Sequence, residues 1–133
     1  MLTVAAPTAY SKTRSQPIIH DNIDTPVHNP YPENSLDNLF YSKNWIDTVQ
    51  WHLEDIIRDP KINAEYALQI KRRIDHLNQK RTDIVEDIDS WFWQQFSEVK
   101  PLPGATINTE SLAWAIDRLS ILELKIYHMR KCQ

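Results

Sequence analysis

The stretch Asn63–Ser97, NAEYALQIKRRIDHLNQKRTDIVEDIDSWFWQQFS, decides the fold. Ala67, Ile70, Ile74, Leu77, Arg81, Ile84, Ile88 and Trp91 follow one another at steps of three and four without a break. That spacing keeps one apolar face along an α-helix and has no counterpart in the two-residue period of a strand. Asn63 can accept the first free backbone N–H groups, and Glu65 sits at the positive end of the helix dipole. Pro101, Pro103 and Gly104 enforce a loop after Ser97. A run of this size spans roughly 50 Å, long for a chain of 133 residues. Its apolar register contains one charge, Arg81.

Working outward, Ser35 can cap an earlier helix in which Leu39, Ile46 and Leu53 recur every seventh residue, with Val49 and Ile56 between them. That helix should stop near Arg58, because Pro60 disfavours helical geometry at Asp59. A third helix is expected from Asn108 or Thr109, with Leu112, Leu119 and Ile126 in one row and Ala115, Leu122 and Met129 in the other. Five of the eight prolines fall within residues 1–34. Residues 1–20 read as a flexible tail and 21–34 as an extended strap, which Ile18, Ile19, Ile23, Val27 and Tyr31 could pin to the body. The expected fold is all-α: an antiparallel bundle of three long helices over 35–133, preceded by an irregular Pro-rich strap. The single glycine agrees with this, since hairpins and phosphate loops need positive φ that glycine adopts most cheaply.

Bulk composition mostly excludes. A formal charge of −3 leaves no basic footprint for nucleic acid. One cysteine, Cys132, forms neither an internal disulfide nor a Cys-based zinc site, which makes a reducing cytoplasm the default location. The N-terminal residues lack the charged-then-apolar pattern of a signal peptide, and no run approaches a membrane span.

Several polar residues resist a purely solvated reading. Asp47, Gln50, Trp51, Glu54 and Arg58 share a face beside the first apolar stripe. Asp75, Asn78, Thr82, Glu86 and Asp89 do so on the second helix, and Asp117 and Arg118 lie beside Trp114 on the third. One reading is a buried network of Asp47, Gln50, Trp51, Asn78, Arg81, Asp117 and Arg118, in which Arg81 requires a carboxylate such as Glu54 or Asp117. The other is a Mg²⁺ site from Glu54, Asp55, Glu86 and Asp89, since this ion takes oxygen ligands. The latter arrangement resembles all-α nucleotide pyrophosphohydrolases, which pair Glu-Glu-x-x-Glu with a later Glu-x-x-Asp; here Arg58 stands where the third carboxylate belongs. RRIDHLNQKRTDIVEDID is also superficially similar to the leading helix of chorismate-mutase-like dimers, with Arg72, Arg73 and Arg81 as candidate carboxylate binders. His52 could act as a ligand or base but reads first as a hydrogen-bonded helix histidine, His76 and His128 read as solvent-facing, and WFWQQF as core closure whose exposed part would mark a partner surface.

Longer strings carry a more specific resemblance. NPY, LFYSKNWIDTVQWHLEDIIRDP, QIKRRIDHLNQKRTDIVEDIDSWF, KPLPGATINTE and AWAIDRLSILELKIYHM, between Asn29 and Met129, resemble a bacterial family catalogued as domain of unknown function 4254 (DUF4254). The resemblance implies a cytoplasmic helical protein and implies no activity. Members of that family continue past the third helix, so a chain stopping at Gln133 is expected to cover its apolar stripes by self-association. The function expected is therefore a helical scaffold or interaction module without enzymatic activity, with a Mg²⁺-dependent pyrophosphohydrolase-like enzyme as the alternative.

Overall fold

A computed structural model describes residues 23–131. The tail assigned to 1–20, Ile18, Ile19 and Cys132 lie outside the described residues. Three helices account for the body: α1 (Leu36–Ile57), α2 (Ala64–Gln95) and α3 (Leu112–Lys131). There is no strand among the described residues, and none of these helices is long and apolar enough to cross a membrane.

The first two helices start where side-chain chemistry dictates. Ser35 Oγ accepts from the Asn38 N–H at 3.2 Å, and Asn63 Oδ1 from those of Glu65 and Tyr66. The third starts later than Asn108 or Thr109. Asn108 only closes a turn onto the Glu110 N–H. Ser111 Oγ accepts from Trp114, while the Asp89 carboxylate of α2 accepts from the Ala113 N–H at 3.1 Å and the Ser111 hydroxyl at 2.5 Å. A negative group borrowed from a neighbouring helix thus sets the start of α3, satisfying a free N–H and opposing the dipole. Gly104, at φ 80°, takes the left-handed conformation at the α2–α3 corner.

Helices α1 and α2 run antiparallel, and α3 packs chiefly on α2 with only light contact to α1. Two apolar clusters result. Ile23, Val49, Leu53, Ile70 and Ile74 fill one end; Val85, Ile88, Phe92 and Ala113 fill the other. Residues preceding α1 reach both ends: Ile23 is buried in the first cluster and Asp24 pairs with Arg73 at 2.5 Å, whereas Asn29 donates to the Asn38 carbonyl in the first turn of α1, beside the second.

Two helical registers depart from expectation. Along α2 the buried positions become Val85 and Phe92 rather than Ile84 and Trp91, which are half-buried. A straight helix of 3.6 residues per turn drifts about 20° per heptad, so a strict seven-residue repeat slides off the contact line. The change in α3 is larger. Ala113 and Asp117 are buried, whereas Leu112, Leu119, Leu122 and Met129 are 51%, 61%, 51% and 70% exposed. The expected apolar rows face away from the core. The cause is electrostatic: two cations at mid-bundle need the Asp117 carboxylate, and stranding a buried charge costs about 3–5 kcal/mol.

Candidate functional site

Between the two apolar clusters lies a layer of charge. Lys43, one turn before Asp47 on α1, is 2% exposed, and its Nζ lies 2.5 Å from Asp47 Oδ2 and 2.9 Å from Asp117 Oδ1. Arg81 reaches across from α2 and donates through Nε and Nη2 to the two oxygens of Asp117 at 3.0 and 2.7 Å. This fork-on-fork geometry is the strongest an ion pair adopts. Its Nε is also 3.6 Å from Asp47 Oδ1. Ser120 of α3 donates to Asp47 Oδ2 at 3.3 Å. Two cations and two carboxylates therefore meet from all three helices, and the charges balance.

Electrostatics separate the two acids. Burial raises the Asp47 carboxyl above its ordinary range, against the opposing pull of Lys43 and Arg81. Burial pushes Asp117 the same way, but hydrogen bonds from Arg81 and Lys43 outweigh it and hold that carboxyl below the usual range. The same bond from Asp117 raises Arg81 further above its already high value. Asp47 Oδ1 is buried without a hydrogen-bond partner, 3.6 Å from Arg81.

The expected polar residues divide by position. Asp47, Arg81 and Asp117 are brought together. Gln50 and Asn78 bond to each other at 2.8 Å, one turn along the α1–α2 contact. Trp51 stacks face to face on His128, with ring centroids 4.5 Å apart. His128 is thus half-buried rather than solvent-facing, and burial lowers its imidazole below the usual range despite an upward pull from Asp55. Arg118 points outward, 73% exposed, and pairs with Glu110 at 2.6 Å. Lys43 and Ser120 complete the layer and were not singled out in the sequence, whereas His52, which is buried, and His128 meet edge to face nearby. The signal for Lys43 was its spacing of four residues from Asp47, ordinary on a solvated helix.

The four carboxylates considered for Mg²⁺ occupy different parts of the bundle. The pairings Asp47–Arg81 and Gln50–Asn78 fix an antiparallel register that sets Glu86 and Asp89 beside the first turns of α1. Glu54 lies roughly 18 Å further along the axis at 1.5 Å per residue. Asp89 is engaged at the start of α3, Glu86 is exposed, and Asp55 faces Arg58 at 3.9 Å. Among the described residues no three acidic, histidine or cysteine side chains gather as a metal-ligand set. Glu54 and Asp55 instead line a groove of about 260 Å³ with Trp51, Arg58, Leu124 and Lys125, and with Asp47 and Arg81 at the network.

A family model described as "Protein of unknown function (DUF4254)" covers residues 37–133, which includes every member of the charged layer. No curated protein and no solved structure matches the chain.

Proposed function

The chain belongs to the DUF4254 family, and we propose that it serves as a helical association scaffold without enzymatic activity of its own. The observation that carries this reading is the closed, charge-neutral layer of Lys43, Asp47, Arg81 and Asp117. Catalytic groups are held ready to exchange protons or contact a ligand. Here the two most buried members are engaged mainly within the layer, Lys43 Nζ by Asp47 and Asp117 and Asp47 Oδ2 by Lys43 and Ser120. Such a layer excludes registers that would separate its charges, and that is a scaffold's requirement. The association surface is the outward row of α3.

Thermal melting in a divalent-ion titration tests the reading. Mg²⁺ or Mn²⁺ up to about 10 mM is expected to leave Tm where NaCl of matched ionic strength leaves it. A metal-specific rise that disappears in Glu54→Gln would overturn the scaffold in favour of the metal-dependent alternative.

A further inference from the structure

We propose that the groove between α1 and α3 binds a small linear zwitterion, its carboxylate on Arg81 and Lys125 and its ammonium on Glu54. The groove follows from the light contact between these helices. Helix α3 is tied to α1 by Lys43–Asp117 and Ser120–Asp47 in the charged layer and by the Trp51–His128 stack. Beside these ties the helices enclose about 260 Å³, with Arg81 of α2 also in its lining. A second hollow of about 320 Å³ shares Arg81, Ile121 and Lys125 with the first, so the two cations border the same two spaces.

Charge decides what the groove takes. Arg81 commits Nε and one N–H of Nη2 to Asp117, which fixes the guanidinium, and its Nη1 makes no hydrogen bond among the described residues. A quarter of its side chain is exposed. The layer itself is neutral, and Asp55 faces Arg58 across 3.9 Å. Two lining charges are left over. Lys125 and the half-buried Glu54 take part in no ion pair or hydrogen bond among the described residues. One surplus cation beside Arg81 and one surplus anion further along complement a ligand with one charge of each sign.

Spacing sets the ligand's length. Asp47 marks the level of Arg81, and Glu54 follows two turns later, about 10 Å along α1. A hydrogen bond of about 2.8 Å at each end leaves roughly 5 Å between the ligand's charges, a span of about four or five bonds. An α-amino acid is too short. Trp51, Ile121 and Leu124, all half-buried, offer apolar walls to the methylenes between the charges.

A ¹H–¹⁵N NMR titration with 5-aminopentanoate, without divalent ions, tests the proposal. The Trp51 indole and the amides of Glu54 and Lys125 are expected to shift together with a Kd of about 1 mM. Pentanoate and pentylamine each lack one charge and glycine lacks the spacing, so each should bind about tenfold more weakly. Glu54→Gln should weaken 5-aminopentanoate about tenfold and leave pentanoate unchanged, whereas Lys125→Met should weaken both and spare pentylamine. Both side chains lie outside the two apolar clusters, so melting temperatures should stay unchanged and separate lost binding from lost fold. No saturable shift up to about 50 mM 5-aminopentanoate would overturn the proposal. Equal affinity for all four probes would also overturn it, as would shifts confined to residues away from the groove. A Glu54→Gln loss as large for pentanoate as for 5-aminopentanoate would do the same, by showing that Glu54 does not meet the ammonium.

Discussion

At Lys43 a primary amine that is 2% exposed touches two carboxylates from different helices. Removing it strands Asp47 and weakens Asp117, so Lys43→Met is expected to destabilise by about 3–5 kcal/mol. Arg81 keeps part of its surface in water, and its loss leaves Asp117 still touching Lys43. Arg81→Leu should therefore cost less, about 1.5–3 kcal/mol. Urea unfolding of both variants checks the order, and a negligible loss in either would mean that its charge is not held as described. Asp117 adds an acid sensitivity. Its folded carboxyl titrates below the unfolded value near 3.8, so its contribution is complete above that value and is lost as pH falls through the depressed one. Asp47 acts oppositely, because a raised folded carboxyl takes up its proton before the unfolded chain does. Sequence spacing exposed Arg81, Asp47 and Asp117, since a charge in or beside an apolar register demands a partner. Lys43 stayed hidden because a Lys–Asp pair four residues apart reads equally well as solvated surface.

The start of α3 is an interaction between elements. Asp89 of α2 supplies the carboxylate for Ala113 and Ser111, so Asp89→Ala should cost about 1–2 kcal/mol and fray the first turn of α3, measurable as faster amide exchange from Ala113 to Ile116. No local reading of Pro101–Ser111 could find a cap lying 22 residues away, which is why Asn108 and Thr109 looked sufficient. At the other end of α3, His128 rests on Trp51 of α1. Its folded imidazole titrates below the unfolded value of 6.5, so the contact costs nothing above that pH. As pH falls below about 6.5 the unfolded chain gains a proton that the folded chain resists, and stability declines toward the depressed folded value. Melting temperatures between pH 7.5 and 5 should fall, and His128→Phe, which preserves an aromatic face against Trp51, should flatten that slope. An unchanged slope would assign the acid sensitivity to other groups.

Across the molecule, α1 and α2 form a long hairpin on which α3 rests with light contact to α1. Local stability follows packing, so native-state hydrogen exchange is expected to open α3 at lower free energy than the central turns of α1 and α2. Equal protection in all three helices would mean that the bundle opens only as a unit. The sequence by itself determined three helices, their approximate limits, the corner at Gly104 and the presence of a charge in the core of α2. These follow from local physics: capping, proline geometry and a period of three to four residues act within one or two turns. Only the tertiary structure decided which face of α3 turns inward. Periodicity alone favours Leu112, Leu119 and Leu122 for the core, but Lys43 and Arg81 arrive from other helices and require Asp117 between them. A buried ion pair acts across tens of residues of sequence, and its cost when broken exceeds what one half-exposed leucine forgoes. That choice left α3 with an apolar seam facing outward.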